Sequence, residues 1–561
     1  MRDYQSIKNT SYEAIIIGGG INGAGVARDA ALRGLKTILI EKNDFASGSS
    51  SWSTRLVHGG LRYLEYFELP LVRESLKERE ILLNIAPHLV KPLLLTVPVY
   101  GDRSRPYWKI WAGMILYDLF SFDKTLPGYR MLNKAKFKRI FPTLDPENLS
   151  GGAQYYDARV AHAERLCLEN IISAKEAGAD VLNYVKVTRL HLEGKKITHL
   201  TCKDTLTGEE FTVKGTEDAV IVNTSGPWVD EVCGSIEIEA TKADSSKAIV
   251  HGKKMGPTKG SHIVVDPFPG APESGLYVEA KSDGRPFFIL PWLGKYLIGT
   301  TDFPYHKDLE SIKADNDEID YLLTETNNIL PTANLSRQDI KFTYSGVRPL
   351  PNEAGKKAGS ITRSHILFDG KKEGVFNLIS LIGGKLTTYR QVGEEIVDAI
   401  LKKQGKPISS SKTALQPLPG AIKASNPLIQ KTIDLYRDKV SLNIIAHLFS
   451  LYGARAVSVL ELTEENPELA ETIHPELPDI KAQLVYGVRV EFALSLVDLI
   501  RRRTAIAMEA NYGLDVLTTS IEVLQKYCNW SAERCELARS EYITYMKNNC
   551  IPDFELEANL I

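Results

Sequence analysis

The stretch from Glu13 to Glu41 restricts the fold more than any other part of the chain. Ala14-Ile15-Ile16-Ile17 is a short continuous apolar run, the pattern of a parallel strand covered on both faces. Gly18-Gly19-Gly20-Ile21-Asn22-Gly23 follows and fits G-x-G-x-x-G. Asn22–Arg33 reads as a helix stopped by Gly34, and Lys36–Ile40 as a second apolar strand ending at Glu41. Together these make a β-α-β unit of the expected length, about 30 residues. A lone glycine pattern says little. This one leaves a strand, opens a helix and is followed, 18 residues after Gly23, by a carboxylate at the end of the next strand. Gly18 permits the tight turn, Gly20 lets the backbone approach a pyrophosphate, and Gly23 lets the helix lie close to the strand. The helix N-terminus offers N–H groups and partial positive charge to phosphates. Glu41 can accept from ribose hydroxyls and would repel a 2′-phosphate, which disfavours NADP. The pattern does not itself separate FAD from NAD, although its place at the N-terminus leans towards a flavoprotein.

A chain of 561 residues predicts two to four domains. Its 43% hydrophobic and 25% charged residues exclude a disordered or collagen-like chain. Lys+Arg (68) nearly balances Asp+Glu (70), so there is no global attraction to nucleic acid. None of the six cysteines forms a CxxC pair and no histidines have HExxH spacing, so no metal site is expected and free thiols in a reducing compartment are the simple reading. Met1–Ser11 lacks the apolar core of a signal peptide, and no apolar run approaches the roughly 20 residues of a membrane span. Cytoplasmic residence, with any membrane contact peripheral, is the expectation.

Helices are expected over Leu71–Leu83 and Leu166–Gly178, and strands over Asp180–Val187, Ala219–Val222, Ser261–Val265, Phe287–Leu290, Tyr296–Ile298 and Phe376–Ile382. After about Lys412 glycine becomes rare and Pro417, Pro419 and Pro427 mark a linker, so residues 413–561 are expected to form a separate helical domain. Ser47-Gly48-Ser49-Ser50-Ser51-Trp52-Ser53-Thr54-Arg55 is a hydroxyl-rich loop with a cation, suited to a phosphate or a flavin edge but also to a plain surface loop.

Here a family resemblance emerges. Gly18–Gly34 and Ser53-Thr54-Arg55-Leu56-Val57-His58-Gly59-Gly60-Leu61-Arg62-Tyr63-Leu64-Glu65 closely resemble the FAD-dependent glycerol-3-phosphate dehydrogenases. Lys259-Gly260-Ser261-His262-Ile263, Leu290-Pro291-Trp292, Ile298-Gly299-Thr300-Thr301-Asp302 and Tyr344-Ser345-Gly346-Val347-Arg348-Pro349-Leu350 agree in order. So do Ile361-Thr362-Arg363 and Gly383-Gly384-Lys385-Leu386-Thr387-Thr388-Tyr389-Arg390. The resemblance covers about residues 12–400, more loosely the remainder. It implies an α/β fold: a Rossmann-type FAD-binding domain (about 12–90, 150–235 and 345–412) interleaved with an antiparallel-sheet substrate domain (about 91–149 and 236–344), plus the helical domain.

The reaction implied is oxidation of sn-glycerol 3-phosphate to dihydroxyacetone phosphate by hydride transfer to flavin N5. Such chemistry needs a base for the hydroxyl proton and an anchor for the phosphate. Arg62, Arg348 and Arg363 lie in matching motifs, and the latter two are the first choice for a phosphate clamp. His58 and His262 are the candidate bases, and His262 can equally be structural. Lys385 suits positive charge near flavin N1 and O2. Gly18, Gly20, Gly23, Glu41, Ser49, Ser53, Thr54, Gly226, Gly384, Lys385, Leu386 and Thr387 are the expected cofactor contacts. Thr387 and Thr388 suit the N-cap of a following helix.

Relatives pass electrons to a membrane quinone or to O2 with release of peroxide. The oxidases typically carry an insertion not seen here, which favours the quinone. An amine oxidase of the same fold would leave the arginines unexplained, and a dinucleotide-sensing scaffold would not need His58 or Lys385. Quinone use demands the membrane surface as a partner; a homodimer is one candidate assembly, and the sequence does not fix the oligomeric state. Tyr107–Phe120 carries Trp108, Ile110, Trp111, Met114, Ile115, Leu116, Tyr117 and Phe120 with basic residues after it, so it reads either as an interfacial segment or as a core-packed helix. Arg501-Arg502-Arg503 reads as a solvated face. Asp315-Asn316-Asp317-Glu318-Ile319 lacks the sixth-position glycine of a calcium loop.

Overall fold

The structure is a computed structural model and describes residues 4–103, 105–238, 252–353, 361–509 and 511–557. Ser11–Ile17 and Thr37–Ile40 form parallel neighbours in a nine-stranded sheet, with the helix Ile21–Leu32 between them in sequence. The parallel core of that sheet runs Asp180–Leu182, Thr37–Ile40, Ser11–Ile17, Glu210–Asn223, Leu378–Ile382. Ala14 and Ile16 point into a core shared with the helices Ile21–Leu32, Ala163–Glu176 and Tyr389–Lys403. Ile15 and Ile17 point to the other side, against the antiparallel meander Val185–Glu193, Lys196–Asp204 and Glu210–Asn223. Burial on both faces is why these strands are uniformly apolar. The strand expected over 180–187 is broken at Asn183-Tyr184, where the chain passes from the parallel core into the meander.

The second sheet has ten strands and is antiparallel apart from the pairing of Gly275–Glu279 with Val90–Tyr100. Leu149–Val160 belongs to this sheet, so the sheet extends eleven residues past the boundary expected at 149/150. One face packs on the helix Asn316–Ile329. The other shares a core with the helical domain: Val264, Phe342 and Tyr344 lie in one cluster with Leu448, Tyr452, Leu499 and Tyr512. Asp315 caps the Asn316–Ile329 helix in a capping box with Glu318, and Lys259 pairs with both.

The helical domain begins after the linker with Pro427–Tyr436, Leu442–Tyr452 and Ala456–Glu465. Leu442–Glu465, interrupted at Gly453–Arg455, is by length and composition alone apolar enough to cross a membrane, and half of its apolar stretch is buried inside the protein, as in a core helix. The arginine run also departs from expectation. Arg501, Arg502 and Arg503 lie in a π-helical turn, Asp498–Arg503, and all three are buried. Arg502 and Arg503 pair with Asp44, just beyond Glu41, and Arg501 pairs with Glu164 while stacking on Trp52. These ions fasten the helical domain to the sheet that carries the glycine turn.

Candidate active site

Both sheets and the helical domain border one cavity of about 760 Å³. One wall is the glycine turn. Gly18 has φ +108, and a Cβ there would lie 2.7 Å from the Thr224 carbonyl oxygen. A Cβ on Gly23 would fall 1.9 Å from the Gly18 oxygen, so only glycine lets this helix approach its strand. Gly20 is the helix N-cap and supplies no side-chain acceptor, so the helix dipole is uncapped from within. Glu41 lines the cavity, its Oε2 accepting from Gly19 N at 2.6 Å and Oε1 from Asn43 N at 2.9 Å. Burial raises its carboxyl pKa, while those two backbone donors oppose the shift. Gly226 and the following Pro227 and Trp228 border the same wall. Gly384 has φ +90 and faces Asn22, whose Oδ1 is buried with no hydrogen-bond partner among the described residues. A glycine cradle, a helix N-terminus, a carboxylate and a spare buried acceptor fit the dinucleotide that the sequence implies.

The hydroxyl loop is more committed to the protein than expected. Ser49 donates to Val347 O at 2.6 Å, Ser53 Oγ accepts from Arg55 N at 3.2 Å, and Thr54 Oγ1 lies 2.9 Å from His262 Nε2. All three still line the cavity. Ser50, not singled out in the sequence, accepts from Ile21 N at the glycine turn. Arg55 makes a bidentate pair with Glu164 and lies over Trp292, so its charge is spent inside the protein.

The rest of the lining gathers the chemical groups. His58, His262, Arg348, Arg363, Gly384, Lys385, Leu386 and Thr387 border the cavity, as does Tyr63. His58 N donates to Thr387 Oγ1 at 3.1 Å. Burial lowers the His58 pKa to about 4, with the Asp157 charge opposing and Lys385 adding to the shift. The next residue, Gly59, donates to Tyr117 Oη at 2.9 Å, and Tyr117 donates to Asp157 at 2.7 Å. Arg79 closes this buried network on Asp157 at 2.8 Å. His262 is 2% exposed, stacks on Tyr344 with centroids 4.7 Å apart, and is held neutral by burial and by Arg348 and Arg55. Its Nδ1 is buried with no partner among the described residues. Lys385 Nζ donates to Ser75 Oγ at 2.5 Å and lies 4.7 Å over the Tyr63 ring; burial lowers its pKa to about 8. Thr388 is the helix N-cap residue but makes no side-chain cap bond, so the capping expectation fails there.

Arg348 donates from Nη1 to Asp302 Oδ1 and Arg363 from Nη2 to Asp302 Oδ2, each at 3.1 Å. Arg62 is not in the cavity wall. It sits on the turn Leu61–Tyr66, and its Nη2 donates to Tyr66 Oη at 3.2 Å. Tyr63, Asp302 and the Tyr117–Asp157–Arg79 network were missed by motif reading. Tyr63 and Asp302 stand in motifs that were matched, so position in a motif was the available signal.

A family model described as FAD dependent oxidoreductase matches residues 13–399, and one described as the C-terminal domain of alpha-glycerophosphate oxidase matches 411–535. The chain is 58% identical over 557 residues to a glycerol-3-phosphate dehydrogenase of Synechocystis, covering 99% of this chain and 100% of the relative. It is 34% identical to the mitochondrial glycerol-3-phosphate dehydrogenase of Bos taurus, covering 95% of this chain and 72% of the relative. Among solved structures, the glycerol-3-phosphate dehydrogenase of Bacillus halodurans complexed with FAD aligns with TM-score 0.75 and 30% identity, over 97% of this chain and 96% of that one. The L-alpha-glycerophosphate oxidase of Mycoplasma pneumoniae aligns with TM-score 0.53 and 15% identity over 73% of this chain and 99% of that one, a likeness of fold.

Proposed function

The chain belongs to the family of FAD-dependent glycerol-3-phosphate dehydrogenases, and from that premise we propose that it oxidises sn-glycerol 3-phosphate to dihydroxyacetone phosphate and delivers the electrons to a membrane quinone. The single observation that carries the substrate assignment is the pair Arg348 and Arg363 bordering the same cavity as a neutral His58. FAD supplies the two-electron acceptor when bound, and the glycine turn, Glu41, Gly226 and Gly384 are the residues that would hold it.

The remaining steps belong to this chain's side chains. The two guanidiniums bind the phosphate and orient the three-carbon chain, converting a bimolecular encounter into a fixed geometry. His58 takes the hydroxyl proton on its unprotonated ring nitrogen. With a pKa of about 4 it is a weak base, but the hydroxyl becomes strongly acidic as the C–H electrons leave, so a neutral imidazole suffices at that moment. Thr387 and the Gly59–Tyr117–Asp157 bonds hold the backbone on which His58 sits. His262, stacked and bonded to Thr54, serves orientation rather than proton transfer. Lys385 contributes positive charge beside the reacting end.

Quinone delivery requires a membrane surface. The helix Tyr107–Phe120 buries Ile110, Met114 and Tyr117 and exposes a second apolar stripe: Trp108 at 68%, Trp111 at 50% and Leu119 at 63%. Phe122 beyond it is 76% exposed and Phe67 is 83% exposed. Exposed Arg130, Lys134, Lys136, Lys138 and Arg139 follow, as in a segment that lies on an anionic lipid surface. The competing acceptor is O2, favoured by the alpha-glycerophosphate oxidase description of the C-terminal family model.

The deciding experiment is anaerobic titration of the purified yellow protein. Glycerol 3-phosphate should bleach the flavin absorption and glycerol should not; absence of bleaching defeats the assignment. Stoichiometric peroxide in air, without added quinone, would select the oxidase.

A further inference from the structure

We propose that Asp302 is the positioning residue of the phosphate clamp, its carboxylate sitting behind Arg348 and Arg363 and joining the two guanidiniums into one anion-binding pair. The inference rests on the glycerol 3-phosphate reading of this site. Arg348 ends the strand Ile340–Arg348, whereas Arg363 lies in the irregular segment before Ile366–Asp369. No shared element aligns them, and two like charges at one wall repel. Asp302 bridges them, with one carboxylate oxygen to each guanidinium at 3.1 Å. The same segment fixes the rotation of Arg348, whose Nη2 donates to Thr300 Oγ1 at 3.0 Å and to Thr301 O at 3.2 Å.

Arg348 and Arg363 border the cavity, but Asp302 is not among the lining residues, so it acts on substrate only through them. Burial pushes the Asp302 carboxyl up, and Arg348 and Arg363 outweigh it, leaving the group ionised well into the acid range. A guanidinium carries five donors in a fork, so a carboxylate on one edge does not exhaust it. What Asp302 supplies is direction and charge balance, the conditions for two arginines to meet one phosphate bidentately.

The test is Asp302→Asn, which keeps the shape and removes the charge, with Asp302→Glu as the conservative comparison. Flavin content and melting temperature should match the parent. The KM for glycerol 3-phosphate should rise about 10- to 100-fold while kcat changes less than about threefold. The inhibition constant of inorganic phosphate should rise by the same factor, and Asp302→Glu should recover part of both. Unchanged KM and phosphate inhibition overturn the proposal, as does a fall in kcat at constant KM. If Asp302→Asn does not fold, phosphate inhibition of Asp302→Glu decides: parental inhibition overturns the proposal and weakened inhibition supports it. If the parent protein is not bleached by glycerol 3-phosphate, the functional reading fails instead. Direct binding of inorganic phosphate to parent and variant then still judges the clamp.

Discussion

At pH 7 Lys385 is mostly charged, but burial has brought its pKa down to about 8, against the opposing charges of Glu74 and Glu68. The charged form therefore exists below pH 8 and is lost as pH rises through it. Burial shifts His58 in the same direction: with a pKa of about 4 it is already neutral above about pH 5. We expect kcat/KM for glycerol 3-phosphate to fall on an alkaline limb near pH 8, with no acid limb from His58 between pH 5 and 7. Lys385→Arg, which stays charged, should move the limb out of the measurable range. A limb near pH 8 that persists in this variant would assign it to another group. His58 and Lys385 stand out as candidates in the sequence because their motifs are local. The electrostatics of the site do not, since Lys385 meets Ser75, 310 positions away, and Asp302 meets Arg348 and Arg363, 46 and 61 positions away.

The elements that carry the site show the same division. The β-α-β unit was legible because each part announces itself within a few residues: an apolar run, glycines with positive φ or no room for a Cβ, and a second run. The Asp498–Arg503 turn was misread because its chemistry depends on Asp44, 458 and 459 positions earlier. Three adjacent arginines look solvated until acids from another domain are brought against them. Burial pushes the Asp44 carboxyl up, and Arg503 and Arg502 outweigh it. Removing that acceptor leaves two buried guanidiniums short of charge, a loss worth about 3–5 kcal/mol for a buried pair. We expect Asp44→Asn to lower the denaturation free energy by about 3 kcal/mol and to open the linker around Pro417 and Pro419 to limited proteolysis. A change below about 0.5 kcal/mol, the range of ordinary surface substitutions, would show that apolar packing alone docks the helical domain.

At the scale of the molecule, one helix joins the cavity wall beside His58 to an exposed apolar face. The buried stripe of Tyr107–Phe120 places Tyr117 against Gly59, beside His58, while its outer stripe of Trp108, Trp111, Ile115 and Leu119 faces outward. The sequence posed these as alternatives, core helix or interfacial segment, because a helix apolar on nearly every side satisfies both patterns. In the structure the helix has both a buried apolar face and an exposed one. If the outer face rests on lipid, its apolar residues and the basic residues beyond it contribute separately: salt weakens the second and not the first. We expect the purified protein to float with anionic phospholipid vesicles, and 1 M NaCl to reduce but not abolish the bound fraction. Trp108→Glu with Trp111→Glu should weaken binding at least about tenfold and leave anaerobic bleaching by glycerol 3-phosphate unchanged, since neither residue borders the cavity. Reduction of a short-chain soluble quinone should also survive, while reduction of a long-chain quinone embedded in the vesicles should fall with binding. Flotation equal to the parent's would place the membrane contact on another surface of the molecule.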